Sequence, residues 1–155
     1  MSQERQSFRS RSLLLCFVVL TGVAAGCTDQ SSTASSAVFA TTVIGEPVVQ
    51  ASETALKLSG YRLTERNDAK EKHESPSRVI RGERYGMSTA FGPAVVQIRI
   101  VVTPVEKGSH IQVDIIPPKG AYGSTAIPLN DYQYTLSQLL PGLSVKSKKV
   151  PSSWF

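Results

Sequence analysis

Few side chains in this sequence combine the type and the spacing that chemistry requires. His110 heads the run HIQVDII, with Gln112 and Asp114 at intervals of two. On a strand these three share one face. His110 and Asp114 together offer two metal ligands, fewer than a zinc site uses. His73 lies beside Glu74 in a charged stretch, and no HExxH, cysteine-rich or EF-hand spacing occurs. Ser124 in GAYGST is flanked by glycine, but it sits outside a GxSxG elbow and has no base nearby. The same run lacks the GxxxxGK[ST] order that cradles phosphate. Glu65, Asp68, Glu71 and Glu74 interleave with Arg66, Lys70 and Lys72, the pattern of a solvated surface whose ion pairs contribute little. Arg78, Arg81 and Arg84 recur every third residue, which on a strand sends them to alternate faces. No catalytic or metal-binding residue and no cofactor is therefore assigned. The alternative is a small hydrolase using a carboxylate, or Ser124 with His110. The side chains expected to form a binding surface are Arg99, His110, Gln112 and Asp114, joined by Lys148, Lys149 and Trp154 of a basic, aromatic C-terminal run.

Cys27 is a different kind of candidate. Arg5, Arg9 and Arg11 precede 13 uncharged residues, Leu13 to Ala25, and the run closes on Ala24-Ala25-Gly26-Cys27. A helix of that length covers about 20 Å, short of the roughly 30 Å core of a bilayer, so the layout is that of a secretory leader. Its end resembles the lipobox of bacterial lipoproteins. The resemblance implies cleavage between Gly26 and Cys27 and a diacylglyceryl group on the Cys27 sulfur. Ala24 departs from the branched residue usual there. An ordinary leader cleaved after Val23-Ala24-Ala25 is the alternative. Cys27 is the only cysteine outside the leader, and an exported lone thiol invites unwanted disulfides. By analogy with lipoprotein sorting, Thr28, in place of Asp after the cysteine, favours the outer membrane facing the periplasm over the inner membrane.

The leader takes three basic residues and one acidic residue with it. This leaves 14 and 11, a net charge of +3. That is too mild to imply nucleic acid. The expected organisation is a signal peptide over 1–26, a lipidated N-terminus and flexible Ser/Thr-rich tether over 27–45, and one domain over 46–155 carrying the basic-aromatic tail.

Within the domain, Val48, Ala51, Ala55 and Leu58 mark a helix from Pro47 to Ser59, stopped by Gly60. Alternation predicts strands at 61–65 and 78–85. Stronger alternation at 94–103 and 109–116 predicts an antiparallel hairpin about Lys107-Gly108. The stretches 86–93 and 120–128 read as loops. A second helix is expected over 131–140, with Asn130 as cap, Leu129 and Tyr134 as a hydrophobic staple, and Tyr132, Leu136, Leu139 and Leu140 facing inward. The order α-β-β-β-β-α predicts an α+β fold: a two-layer sandwich with a sheet of about four mainly antiparallel strands covered by two helices. Leu58-Ser59-Gly60-Tyr61 and Ile80-Arg81-Gly82 give it a resemblance to the small α+β helix-grip domains of envelope lipoproteins such as BamC. The resemblance implies fold alone. The resulting expectation is a lipid-anchored cell-envelope protein, held to the membrane through Cys27, that acts as a binding or assembly-accessory module for an envelope protein partner.

Overall fold

The computed structural model describes residues 34–69 and 77–150. Cys27 and Gly26, His73 and Trp154 lie outside the described residues, as do the leader and most of the charged run at 70–76.

Among the described residues, seven strands form one antiparallel sheet, and two helices accompany it: β1 (Ser35–Thr41), α1 (Glu46–Leu58), β2 (Arg62–Ala69), β3 (Ser77–Thr89), β4 (Gly92–Val105), β5 (Gly108–Ile116), β6 (Ala121–Tyr122), α2 (Ala126–Leu139) and β7 (Ser144–Lys149). The order across the sheet is β2-β3-β4-β5-β1-β7, and β6 pairs with the far end of β3. This corrects the expected fold of about four strands in the order α-β-β-β-β-α.

The added strands come from segments whose composition hid them. β1 (SSAVFAT) lies within the expected tether. Its inward positions, Ser35, Ala37, Phe39 and Thr41, are buried and alternate with half-buried ones. Three of those four side chains are small, and two are polar, so the period of two is invisible to a hydrophobicity count. β1 is nonetheless internal, bonded to β5 on one side and β7 on the other. Residues 35–41, expected as part of a tether reaching to residue 45, thus belong to the sheet. β7 (SVKSKK) comes from the basic tail and closes the sheet with exposed lysines, which discourage pairing with another chain.

β4 and β5 place Val96, Ile98, Ile100, Val102, Ile111, Val113 and Ile115 on one buried face. Helix α1 contributes Val48, Val49, Ala55 and Leu56 to the same core, and α2 contributes Leu129, Tyr132 and Leu136. Both helices thus cover one side of the sheet. Gly82 lets α1 approach: a Cβ there would stand 2.8 Å from Leu56 Cδ1. Gly108, at φ +144°, permits the β4–β5 turn to pass the carbonyl of Thr41, which any side chain would strike.

Other local expectations shift. Residues 86–89 extend β3 and 92–93 begin β4, so the expected loop at 86–93 shrinks to the turn at Ala90-Phe91. The expected loop at 120–128 holds β6 and the first turn of α2. Helix α2 starts five residues early, at Ala126, with Thr125 at its N-terminal boundary. Ser35 and Thr125 hydroxyls bond there and tie β1 to the helix. Asn130 lies inside the helix and is not its cap. Tyr134 is exposed, so the Leu129–Tyr134 staple does not form.

Candidate functional site

With both helices on one side, the other face of the sheet is left open, and strand register decides what stands on it. Arg81 pairs with Arg99, Arg99 with Asp114, and Glu65 with Arg81. The result is a row across four strands: Glu65, Arg81, Arg99, Asp114. Its ends are ion-paired, with Arg81 Nη1 3.0 Å from Glu65 Oε2 and Arg99 Nη1 3.8 Å from Asp114 Oδ2. Gln112 Nε2 also donates to Asp114, at 3.1 and 3.3 Å to its two oxygens. The next row toward the β3–β4 turn holds Glu83, Gln97 and Ile116.

Both guanidiniums are partly exposed, so their pairs add at most about 1 kcal/mol each. Two arginines directly opposite on adjacent strands repel and cost stability. A sheet shaped by stability alone would alternate the charges, not set the arginines side by side. Between them lies an open depression of about 550 Å³, with Glu65, Arg81, Glu83, Gln97, Arg99 and Ile116 among its walls. Two guanidinium forks and the Gln97 amide there can donate to an anionic group, and the carboxylates of Glu65 and Glu83 restrict where such a group fits.

Arg99, Gln112 and Asp114 are brought together as neighbours. His110 shares their face but lies further along β5, paired with Thr103 and Ala40. Four residues separate it from Asp114, about 13 Å along a strand, so His110 and Asp114 do not converge on a metal. Among the described residues no three of His, Cys, Asp and Glu gather in a way that could hold one. Lys148 turns to the helix side, where its Nζ donates to Asn130 Oδ1 at 2.6 Å and Gln133 Oε1 at 3.0 Å. Lys149, exposed, pairs with Ser36 on β1. The two lysines expected on one surface are thus divided between two. Ser124 Oγ accepts from the Ala126 amide at 3.1 Å, as part of the turn into α2. That turn adjoins Ser35 at the Ile115 end of β5. His110 is five residues away from Ile115, about 16 Å, and on the opposite face, so Ser124 and His110 form no dyad.

Gln97 stands beside Arg99 as its strand alternation predicts, whereas Arg81, Glu65 and Glu83 are not among the side chains expected there. Alternation in RVIRGERY does place Arg81 opposite Ile80, but only strand register puts it beside Arg99.

A second polar cluster lies under the helices. Arg84 stacks over the Tyr61 ring, 4.7 Å from the centroid. Its Nη1 donates to the Ser59 carbonyl at 2.7 Å, and its Nη2 lies 3.5 Å from Asp131 Oδ2. A cation here satisfies the carbonyl end of α1 and complements its dipole. The arrangement joins α1, β3 and α2 and is structural.

No protein-family model matches the chain, and no curated protein matches it in sequence.

Proposed function

We propose that the protein is a lipid-anchored bacterial envelope protein that works as a binding module, taking a carboxylate-bearing segment of an envelope protein partner on the open face of its sheet. The observation that carries this reading is the juxtaposition of Arg81 and Arg99 over the depression on that face. Two forks side by side can hold one carboxylate bidentately and a second beside it, and Ile116 offers an apolar wall. The outer carboxylates of Glu65 and Asp114 keep the forks oriented and reject wrongly placed acids. The lipobox-like end of the leader, with Cys27 as the cysteine, supports the anchor, and Thr28 after it supports the outer-membrane address.

The test is a photoreactive residue at Gln97 in intact cells, with a second at Tyr134 on the helix side as the control. A discrete adduct is expected from position 97 alone, reduced at least tenfold by Arg81→Glu with Arg99→Glu. An adduct indifferent to those charge reversals, or equally strong from Tyr134, would sink the assignment.

A further inference from the structure

The direction of the strands places several features at one end of the domain. At that end β1 starts, β5 and β7 finish, and the β3–β4 hairpin turns. The hairpin outruns β2 and β5, and only the short β6, opposite Ser88 and Thr89, accompanies it to its tip. β5 stops at Ile116, opposite Gln97, while β4 begins five residues earlier at Gly92. The turn at Ala90-Phe91 therefore projects about 17 Å past the end of β5.

This end is also where apolar side chains meet solvent. Phe91 at the tip is fully exposed, at 102 %, and Tyr85, Tyr122, Ile127 and Ile116 are exposed behind it. Among the described residues, the turns at the opposite end show only Ile44, Val105 and Val145 as large exposed apolar groups. One exposed lysine, Lys119, lies between β5 and β6 near the tip, whereas Lys149 at the end of β7 is level with Arg99, about 23 Å short of the start of β4.

Chain length decides what this end faces. Seven residues, 28–34, separate Cys27 from Ser35. Fully extended they span at most about 28 Å, and as a flexible coil about 15 Å. If Cys27 carries the lipid, as proposed above, Ser35 and the whole end around it are held within that distance of the bilayer. The arm is long enough to cross the gap.

We infer that this end is a membrane-contact surface, with Phe91 entering the lipid interface and Tyr85, Tyr122 and Lys119 lying at the headgroup level. Amphipathic rings and lysines are the side chains that such an interface accommodates. The contact sets the domain upright on its arm, and the open sheet face then points sideways, available to a partner in the same compartment.

The inference rests on the anchor reading, and the experiment separates the two. Full-length protein is isolated from membranes with Trp154→Phe and Phe91→Trp, so that position 91 carries the only tryptophan. It is reconstituted into 3:1 phosphatidylethanolamine:phosphatidylglycerol vesicles with or without brominated acyl chains, and palmitate on Cys27 is measured on the same sample. At least twofold quenching at position 91 is expected, with none in a matched Val105→Trp protein at the opposite end. Palmitate on Cys27 with no quenching at 91, or with equal quenching at 105, overturns the surface and leaves the anchor standing. If Cys27 carries no palmitate, the anchor reading falls. The unlipidated protein is then mixed with the same vesicles: a blue shift at 91 but not at 105 upholds the surface, and unchanged emission at 91 removes it as well.

Discussion

Tyr61 shows how a single side chain can store a pH dependence. Its hydroxyl is buried, with no hydrogen-bond partner. Burial pushes its pKa up to about 12, and the nearby Arg84 charge offsets part of that rise. An unfolded chain releases the same proton near pH 10. Stability from this group is therefore full below pH 10 and lost as pH rises from 10 to 12, by about 2–3 kcal/mol. Tyr61→Phe keeps the ring under Arg84 and deletes the unpaired hydroxyl. It is expected to flatten that alkaline loss and to leave stability at pH 8 equal to wild type or higher by up to about 1 kcal/mol. Urea unfolding at pH 8 and pH 11 decides it; a variant that retains the wild-type loss between those values contradicts the assignment. Tyr132, fully buried with its hydroxyl reaching the Ser52 carbonyl at 3.4 Å, is raised in the same direction by the same cause.

Among the elements, β1 departs most from its sequence. Composition reads as linker, yet Phe39 is wholly buried against the sheet's inner face, and its strand is paired on both edges. Phe39→Ala is expected to destabilise the domain by about 3–5 kcal/mol, the usual loss for a buried phenylalanine. In a solvated tether the same change would register within about 0.5 kcal/mol. Denaturant unfolding distinguishes the two directly. The hairpin of β4 and β5 and the helix α1 behave differently. Their apolar side chains repeat at 2 and near 3.6 within unbroken segments, so their periods can be read without knowing their neighbours. Helix α2 starts earlier than its sequence suggests, and the Ser35–Thr125 contact ties that start to β1.

At the scale of the whole molecule, the proposed anchor at Cys27 would hold a two-sided domain. Because β1 begins at Ser35, only seven residues separate Cys27 from the sheet. Cys27→Ser is expected to abolish palmitate incorporation and to release the protein from membranes or leave it unprocessed. Continued labelling of that variant would remove the lipobox reading. Among the described residues no helix is long and apolar enough to cross a membrane.

The sequence alone determined the parts that depend on nearby residues: the inward faces of β4 and β5, the presence of α1, and a set of polar side chains, Arg99, Gln112 and Asp114, that share a strand face. The inward face of α1 is only half legible, since Val48 and Ala55 are buried but Leu58, expected inward, is exposed and Val49 and Leu56 are buried instead. It also supplied the expectation at Cys27, since a lipobox is a contiguous motif. Tertiary structure decided the rest. Whether a Ser/Ala-rich run becomes a central strand depends on partners about 70 and 100 residues away in β5 and β7. The meeting of Arg81 with Arg99 depends on register between strands, and the sharing of one end by Phe91, Ile116 and Ser35 depends on the lengths of neighbouring strands. Such long-range pairings leave no period in the chain, because backbone hydrogen bonding between strands accepts almost any side chain.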